Sequence, residues 1–342
     1  MKTIRARAPL RLGLAGGGTD VSPFSDEHGG CVLNATIDLY AQAILEPATD
    51  GRVHFVAEDL QQSCIFEPGG TTQPAPALPL HIGIYRRVMQ QFNGGRQLPL
   101  KMTTFADVPP GSGLGTSSTM VVCMLQAYNE WLQLGLGEYE LAHLAFEIER
   151  IDLALAGGKQ DQYAAAFGGF NFIEFGPRDR VLVNPLRIKD WIVSELEAST
   201  VLFYTGQSRE SASIIQRQID NTRAGDTRSL AASMALKQDA VAMKEAILRG
   251  DFAAYATVLG RSWLAKKQMA TGISNAGIDE IYDTAIQAGA TAGKISGAGG
   301  GGFMMFYVPP SRRMGVVRAL REFPGQVMNF NFTGVGAHSW VM

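Results

Sequence analysis

With 46% hydrophobic and 18% charged residues, the chain of 342 residues has enough apolar material for a core and too little charge for a disordered polymer. Thirty basic against 32 acidic residues give a net charge of −2, which excludes a broad surface for nucleic acid but not a pocket for one phosphate. The length implies about two domains. The three widely spaced cysteines (Cys31, Cys64, Cys123) fit neither a disulfide framework nor a zinc site and point to a reducing, cytoplasmic setting.

The N-terminal segment MKTIRARAPLRLG carries four basic residues and no apolar run, and is not expected to be a signal peptide. Thr3–Ala8 and Cys31–Ile37 are predicted strands, the second continuing after a turn into Tyr40–Leu45; Arg52–Val56 is another. Residues 67–79 are rich in Pro and Gly and read as a surface loop. Leu80–Phe92 has helical spacing and stops at Asn93-Gly94-Gly95, and Leu98–Phe105 alternates like a strand. The uncharged stretch Val108–Asn129 is long enough for a membrane span. Pro109, Pro110, its glycines and Thr116-Ser117-Ser118 make it instead a loop feeding a helix, Ser117–Leu134. A second helix is predicted over Glu138–Leu155, with strands at Gly169–Phe175 and Thr200–Tyr204.

Helical patterns then dominate at Ser211–Thr222, Arg228–Leu248, Phe252–Met269 and Asn275–Gln287. Strands at Thr291–Ile295 and Gly302–Val308 flank a glycine run, followed by a helix at Ser311–Glu322 and a strand near Val327–Phe332. No internal repeat is visible. The composition shifts near residue 190, giving an α+β protein with domains over 1–190 and 191–342.

Glycine is over-represented: 39 residues, where the usual ~7% would give about 24. The glycines cluster at 16–18, 111–115, 157–158, 168–169 and 297–302, and such clusters mark tight turns or close approach to a ligand. In Pro109-Pro110-Gly111-Ser112-Gly113-Leu114-Gly115-Thr116-Ser117-Ser118, backbone N–H groups can converge ahead of a helix N-terminus and form an anion site suited to nucleotide phosphates. The plainer reading is a flexible loop with an ordinary Ser/Thr cap. No GxxxxGK[ST] motif exists; Ala288–Ile295 is the nearest miss. Gly297, Gly299 and Gly302 satisfy GxGxxG, but a strand-like FMMFYV follows where a dinucleotide fold needs a helix. Glu149 and Asp161 could divide labour between a metal and a reacting hydroxyl, or be surface charges. The five histidines show no metal spacing.

Taken together, these segments resemble the GHMP kinases, a family that includes galactokinase, homoserine kinase, mevalonate kinase and phosphomevalonate kinase. Three motifs carry the resemblance, in family order. They are Pro9-Leu10-Arg11-Leu12-Gly13-Leu14-Ala15-Gly16-Gly17-Gly18-Thr19-Asp20, then Pro109 to Ser118, then Lys294-Ile295-Ser296-Gly297-Ala298-Gly299-Gly300-Gly301-Gly302-Phe303. The Asp161-Gln162 element also matches. The resemblance implies an N-terminal S5-like α/β domain and a C-terminal ferredoxin-like α+β domain. It implies ATP and Mg²⁺ as cofactors, a small-molecule sugar phosphate as partner, and no membrane or nucleic-acid partner; it leaves room for a homo-oligomer.

By the same resemblance, Asp161 is the catalytic aspartate and Arg11 the arginine beside the transferring group. Pro110, Gly111, Ser112, Gly113, Leu114, Gly115, Thr116, Ser117 and Ser118 bind ATP. Ser117 and Glu149 hold Mg²⁺, with Glu147 as the alternative carboxylate. Gly17, Gly18, Thr19, Asp20, Gly299 and Gly300 face the sugar. Galactokinases have Glu-His where this chain has Gly17-Gly18, which argues against galactose and leaves room for a larger sugar. RAPLRLGLAGGGTDVSPF, GGKQDQYAAAFGGFNF and KISGAGGGGF are most similar to the branch that phosphorylates the anomeric hydroxyl of D-glycero-D-manno-heptose 7-phosphate, on the way to GDP-heptose for surface polysaccharide. Fucokinases share the AGGGTD style, and a non-catalytic sugar and ATP sensor or an ATP-dependent decarboxylase are the readings outside sugar kinases. Candidates for the cation that meets the sugar's own phosphate are Lys159, Arg209, Lys266 and Lys267.

Overall fold

In the computed structural model, which describes residues 2–68, 77–207 and 211–342, the first strand is longer than expected. β1 (Ile4–Ala15) runs on through PLRLGLA, because from Ala8 onward both of its faces are covered. β2 (Gly30–Pro47) pairs with β1 along most of its length; its first half also takes β6 (Phe170–Phe175) and its second half β5 (Leu100–Ala106). β3 (Val53–Ala57) lies parallel to β5, β4 (Gln62–Phe66) flanks β3, and β7 (Val181–Pro185) flanks β6. The C-terminal β12 (His338–Val341) pairs with β1 and completes an eight-stranded sheet. A second, four-stranded antiparallel sheet has the order β11-β8-β10-β9, built from β8 (Thr200–Tyr204), β9 (Ala292–Ile295), β10 (Phe303–Tyr307) and β11 (Gln326–Met328).

After the short α1 (Phe24–His28), four helices cover one face of the large sheet: α2 (Pro79–Phe92), α3 (Thr116–Leu132), α4 (Glu138–Phe146) and α5 (Gln160–Phe167). α3, which carries no charge before Glu130, sits between the sheet and its neighbouring helices, which is why Met120 to Leu125 are buried without a break. On the opposite face, α6 (Asp190–Ser199), α8 (Thr227–Arg249) and α9 (Phe252–Lys266) share a second core with one side of the small sheet. The small sheet's other side packs on α7 (Ser211–Arg223), α10 (Ala276–Gln287) and α11 (Arg313–Leu320), around Trp263. Alternation along β6 shows the two faces directly: Phe170 and Phe172 join the second core, Ile173 and Phe175 the first.

β1 does not keep that alternation. Ala6 and Ala8 belong to the first core, yet Leu10, Leu12 and Leu14 belong to the second. Between Pro9 and Arg11 the register with β2 shifts, so three residues of β2 oppose one of β1. Such an irregularity bends a strand and re-aims its side chains. Here it gives the helix face to Arg11.

Several further elements differ from expectation, and α1, β4, β7 and α6 were not predicted. The helix predicted over Glu138–Leu155 is α4 followed by a π-helical turn, Glu147–Asp152. Asp161, which lies outside every predicted helix, sits in the first turn of α5, since Gln160–Phe167 is long enough and apolar enough to pack as a helix. The strand expected near Val327–Phe332 ends as β11 at Met328, while Phe332 bridges Ile37 of the large sheet and β12 follows. We propose the domain division near residue 190, with β12 crossing back to the first sheet. Most of the 67–79 loop lies outside the described residues. Among the described residues, no helix is long and apolar enough to cross a membrane.

His81 offers a test of the first core. Its ring is buried against Phe55, with Nε2 2.8 Å from the Thr104 hydroxyl. Burial pushes its pKa down from 6.5 to about 4. The unfolded chain therefore takes up this proton first, and stability is lost as pH falls from 6.5 towards 4. We expect His81→Gln to flatten that part of the stability curve in denaturant titrations across this range. Parallel curves for the two proteins would contradict the buried, neutral ring.

Candidate active site

Two helix N-termini and two glycine runs meet in one cleft lined by Arg11, Gly113, Thr116, Glu149, Asp161 and Lys266, among others. α3 begins at Thr116, one residue earlier than expected. Its N-cap is Gly115, at φ 78°, and no side chain caps it. The first N–H groups of a helix have no partner inside it, and the dipole places partial positive charge there. In the loop before it, Gly111, Gly113 and Gly115 all have positive φ (72°, 84° and 78°), which only glycine adopts without strain. A Cβ on Gly113 would come 2.5 Å from the Ser296 carbonyl, and one on Gly115 would come 3.0 Å from the Asp161 carboxyl carbon. Ser112 and Leu114 are buried; Ser112 Oγ lies 3.0 Å from Thr116 Oγ1, and Pro110 is exposed at the rim.

The Ser296–Gly302 run packs behind this loop instead of forming a separate nucleotide site. Phe303 N donates to the Ser112 carbonyl at 2.8 Å, and side chains at Gly297 or Gly302 would collide with the loop backbone. Gly297 and Ala298 line the cleft. Gly299 and Gly300, expected at the sugar, pack on Ile273, whose carbonyl accepts from Gly300 N at 2.9 Å.

Arg11, 3% exposed, links these pieces. Its Nε and Nη2 both donate to Asp161 Oδ1 at 2.7 Å. Its Nη1 donates to the Gly113 carbonyl at 2.7 Å and to Ser296 Oγ at 3.2 Å. One guanidinium thus fixes the carboxylate, the loop and the second glycine run. Ser296 was not singled out from the sequence, where it is one more small residue in a small-residue run.

Asp20 anchors the other end of the Asp161 segment. Its Oδ2 accepts from Lys159 N (2.9 Å) and Gln160 N (3.0 Å) at the start of α5. Its Oδ1 accepts from Gln160 Nε2 (2.9 Å) and Gly18 N (3.1 Å). Asp20 lines the cleft, but its acceptors are taken by its own chain. The Thr19 hydroxyl is likewise occupied, by Gly16 and Cys31. Gly18 lines the cleft, and Gly17 lies beside Lys266. Lys159 turns away, to Asp179 (2.7 Å) and Asp26 (3.4 Å). Arg209 lies outside the described residues.

Glu149 projects from the π-helical turn into the cleft, a common place for such turns. Gln162 Nε2 donates to its Oε2 at 2.5 Å, and Ser117 Oγ lies 3.4 Å from its Oε1. Arg150 is 3.6 Å from the same carboxylate and also donates to Ser118. Burial, helped by the charge on Asp161, raises the Glu149 pKa against the pull of Arg150. Glu147, the alternative carboxylate, is paired with Arg87 at 2.5 Å. Among the described residues, no group of three or more His, Cys, Asp or Glu forms a metal cage.

The family of the GHMP kinases N terminal domain matches residues 79–169, and that of the GHMP kinases C terminal domain matches residues 243–325. The chain is 49% identical over 340 residues to the D-glycero-alpha-D-manno-heptose 7-phosphate kinase of Campylobacter jejuni, covering 99% of both. It is 27% identical to the L-fucokinase/L-fucose-1-P guanylyltransferase of Bacteroides fragilis, spanning 87% of this chain but 34% of that protein. Among solved structures, a D-glycero-D-manno-heptose 1-phosphate kinase from Bacteroides thetaiotaomicron superposes with a TM-score of 0.84 at 46% identity over 99% of both chains. Lactococcus lactis galactokinase with galactose has the same fold, with a TM-score of 0.76 at 18% identity, covering 98% of this chain and 94% of its own.

If Arg11 and Asp161 act as a pair, their substitutions are not additive. In a double-mutant cycle with Arg11→Met and Asp161→Ala, denaturant unfolding should give a coupling energy of about 0.5–3 kcal/mol. A coupling indistinguishable from zero would contradict the pairing.

Proposed function

The chain belongs to the GHMP kinase family, and from that premise we propose that it transfers the γ-phosphoryl group of ATP to the anomeric hydroxyl of D-glycero-D-manno-heptose 7-phosphate, giving the 1,7-bisphosphate. The observation that carries the chemistry is the Arg11–Asp161 pair, held where two helix N-termini meet. The sugar assignment is supported by near-half identity, over the whole length, to a heptose 7-phosphate kinase.

In this reading the backbone of Gly111 to Ser118 and the start of α3 receive the nucleotide phosphates. Asp161 accepts the proton of the anomeric hydroxyl as that oxygen attacks the γ-phosphorus and ADP leaves. Arg11 orients Asp161 and keeps a fixed positive charge beside the transferring group. Asp20 sets the start of α5, and so the height of Asp161 in the cleft. Gly18 and Asp20 line the side of the cleft that would face the sugar. Catalysis is mostly positioning, with little covalent chemistry required of the protein.

Ser117 and Glu149 fit Mg²⁺, a hard cation that takes one or two carboxylate or hydroxyl oxygens and completes its shell with water and phosphate. The raised proton affinity of buried Glu149 is what a divalent cation would offset. When bound, the ion neutralises charge on the phosphate oxygens. We assign the protein to the cytoplasm, in keeping with its three free cysteines.

The test is ATP consumption against a panel of sugars and sugar phosphates, with the product identified by phosphorus NMR. Turnover should be largest with heptose 7-phosphate and yield an anomeric phosphate. Absence of turnover with every sugar phosphate would contradict the reading. Asp161→Asn should lower kcat by about 10²-fold or more while ATP affinity changes little; near-normal turnover would remove Asp161 from its role. Gly113→Val should weaken ATP binding in calorimetry with the far-UV spectrum preserved, since a side chain there pushes the loop off Ser296. Unchanged ATP affinity would mean that the nucleotide binds elsewhere.

A further inference from the structure

Two polar side chains near Gly17 and Gly18 lack the partners their chemistry calls for among the described residues. Lys266, at the end of α9, is 3% exposed, yet its ammonium, with three donors, makes one hydrogen bond, to the Gly17 carbonyl at 3.1 Å. Gln218, on α7, is 5% exposed, lines the cleft, and has a buried Nε2 with no partner. Unpaired buried donors are costly, the more so when charged. Both face the same gap. A Cβ on Gly17 would lie 3.7 Å from Lys266 Nζ, and one on Gly18 would lie 3.3 Å from Gln218 Oε1. Gly17 and Gly18 thus let both side chains approach this corner of the cleft, where a Cβ on Gly18 would also meet Met269 at 2.9 Å.

Among the described residues, the other cations of the cleft and its surroundings are committed, Lys294 to the Gly13 and Leu14 carbonyls. Arg11 holds Asp161, Gly113 and Ser296. Arg150 is taken by Gly158, Ser118 and Glu149. Lys159 lies between Asp26 and Asp179, and Lys267 lies against Asp279 and the Trp263 ring. The corner therefore offers one uncommitted ammonium and one amide donor, both buried. That donor set suits a compact anion with several acceptor oxygens, such as a phosphate monoester.

We propose that Lys266 and Gln218 form the subsite for the phosphate that the acceptor sugar already carries, which makes them specificity-determining residues of the kinase. The proposal rests on the kinase reading above. Burial, outweighing the pull of Asp20 and Asp161, lowers the Lys266 pKa to about 8, with Arg11 adding to the shift. The charged groups facing it are Asp20, Asp161, Arg11 and Lys294. The ammonium is thus charged below about 8 and loses its charge above it, so affinity for a dianion falls as pH rises past that value. The sugar phosphate itself stays dianionic there, since its second ionisation is complete.

The test is calorimetric titration, without nucleotide, of wild type and variants with heptose 7-phosphate and with the free heptose. Lys266→Met should weaken binding of the phosphorylated sugar about 10- to 100-fold, leaving the affinity for the free sugar, and for ATP titrated separately, nearly unchanged. Gln218→Leu should show a smaller loss with the same selectivity. Lys266→Arg, which stays charged, should keep affinity above pH 8, where wild type loses it. Equal losses for both sugars, or a loss confined to ATP, would overturn the proposal. If Lys266→Met does not fold, Gln218→Leu and the wild-type pH series decide, and affinity flat from about pH 7 to 9.5 would overturn it. Failure of the kinase reading is a separate result, absence of phosphoryl transfer, and the binding titrations decide the subsite without turnover.

Discussion

The site depends on one buried guanidinium. Arg11 reaches a carboxylate on α5, a carbonyl of the glycine loop and a hydroxyl of the second glycine run, three pieces far apart in sequence. A planar, always-charged fork with five donors can do this; an ammonium could not hold three partners in one plane. Arg11 occupies that point because the register of β1 and β2 slips just before it. Without the slip, alternation would send the side chain to the opposite face of the sheet, away from α5.

A second constraint is contact between backbones. The loop 111–115 and the run 296–302 share two reasons for their glycines, positive φ and backbone contact with each other. In the loop, alternate residues adopt positive φ so that it can curl ahead of α3. In the run, the glycines let one backbone lie directly on the other, as shown by the collisions that side chains at Gly297 and Gly302 would make. The C-terminal part of the chain thereby buttresses a loop that belongs to the N-terminal part. Asp20 plays a comparable role for α5, its carboxylate binding the two N–H groups at the start of that helix.

Much of this was legible in the sequence. Most of the longer strands and helices and the loop feeding α3 followed from glycine spacing and hydrophobic periodicity, and Arg11, Glu149, Asp161 and Ser117 were singled out by the family's motifs, but α1, β4, α5, β7, α6 and β12 were not anticipated. What was hidden depends on tertiary contact. A π-helical turn has the same local composition as an α-helix, so Glu149's departure from the helix could not be seen. Lys159 sits two residues before Asp161 and looked available, but Asp26 and Asp179 claim it. Thr19 and Asp20 were placed at the sugar by the family resemblance, and their hydrogen bonds tie other parts of the chain together: Thr19 to Gly16 and Cys31, Asp20 to Gly18, Lys159 and Gln160. Gln218 and Lys266 lie on separate helices with nothing in their local sequence to link them. Only the packing of α7 and α9 around Gly17 and Gly18 brings them to one corner.

In the proposed reaction the anomeric oxygen lies between Asp161 and the phosphate chain on the glycine loop. A crystal structure with a non-hydrolysable ATP analogue, Mg²⁺ and heptose 7-phosphate tests it most directly. The account predicts the anomeric oxygen within about 2.6–3.2 Å of an Asp161 carboxylate oxygen. It also predicts the γ-phosphate against the N-terminus of α3, with Arg11 still bridging Asp161 and the Gly113 carbonyl. A sugar bound with its anomeric oxygen away from Asp161, or a nucleotide whose phosphates avoid residues 111–118, would contradict it.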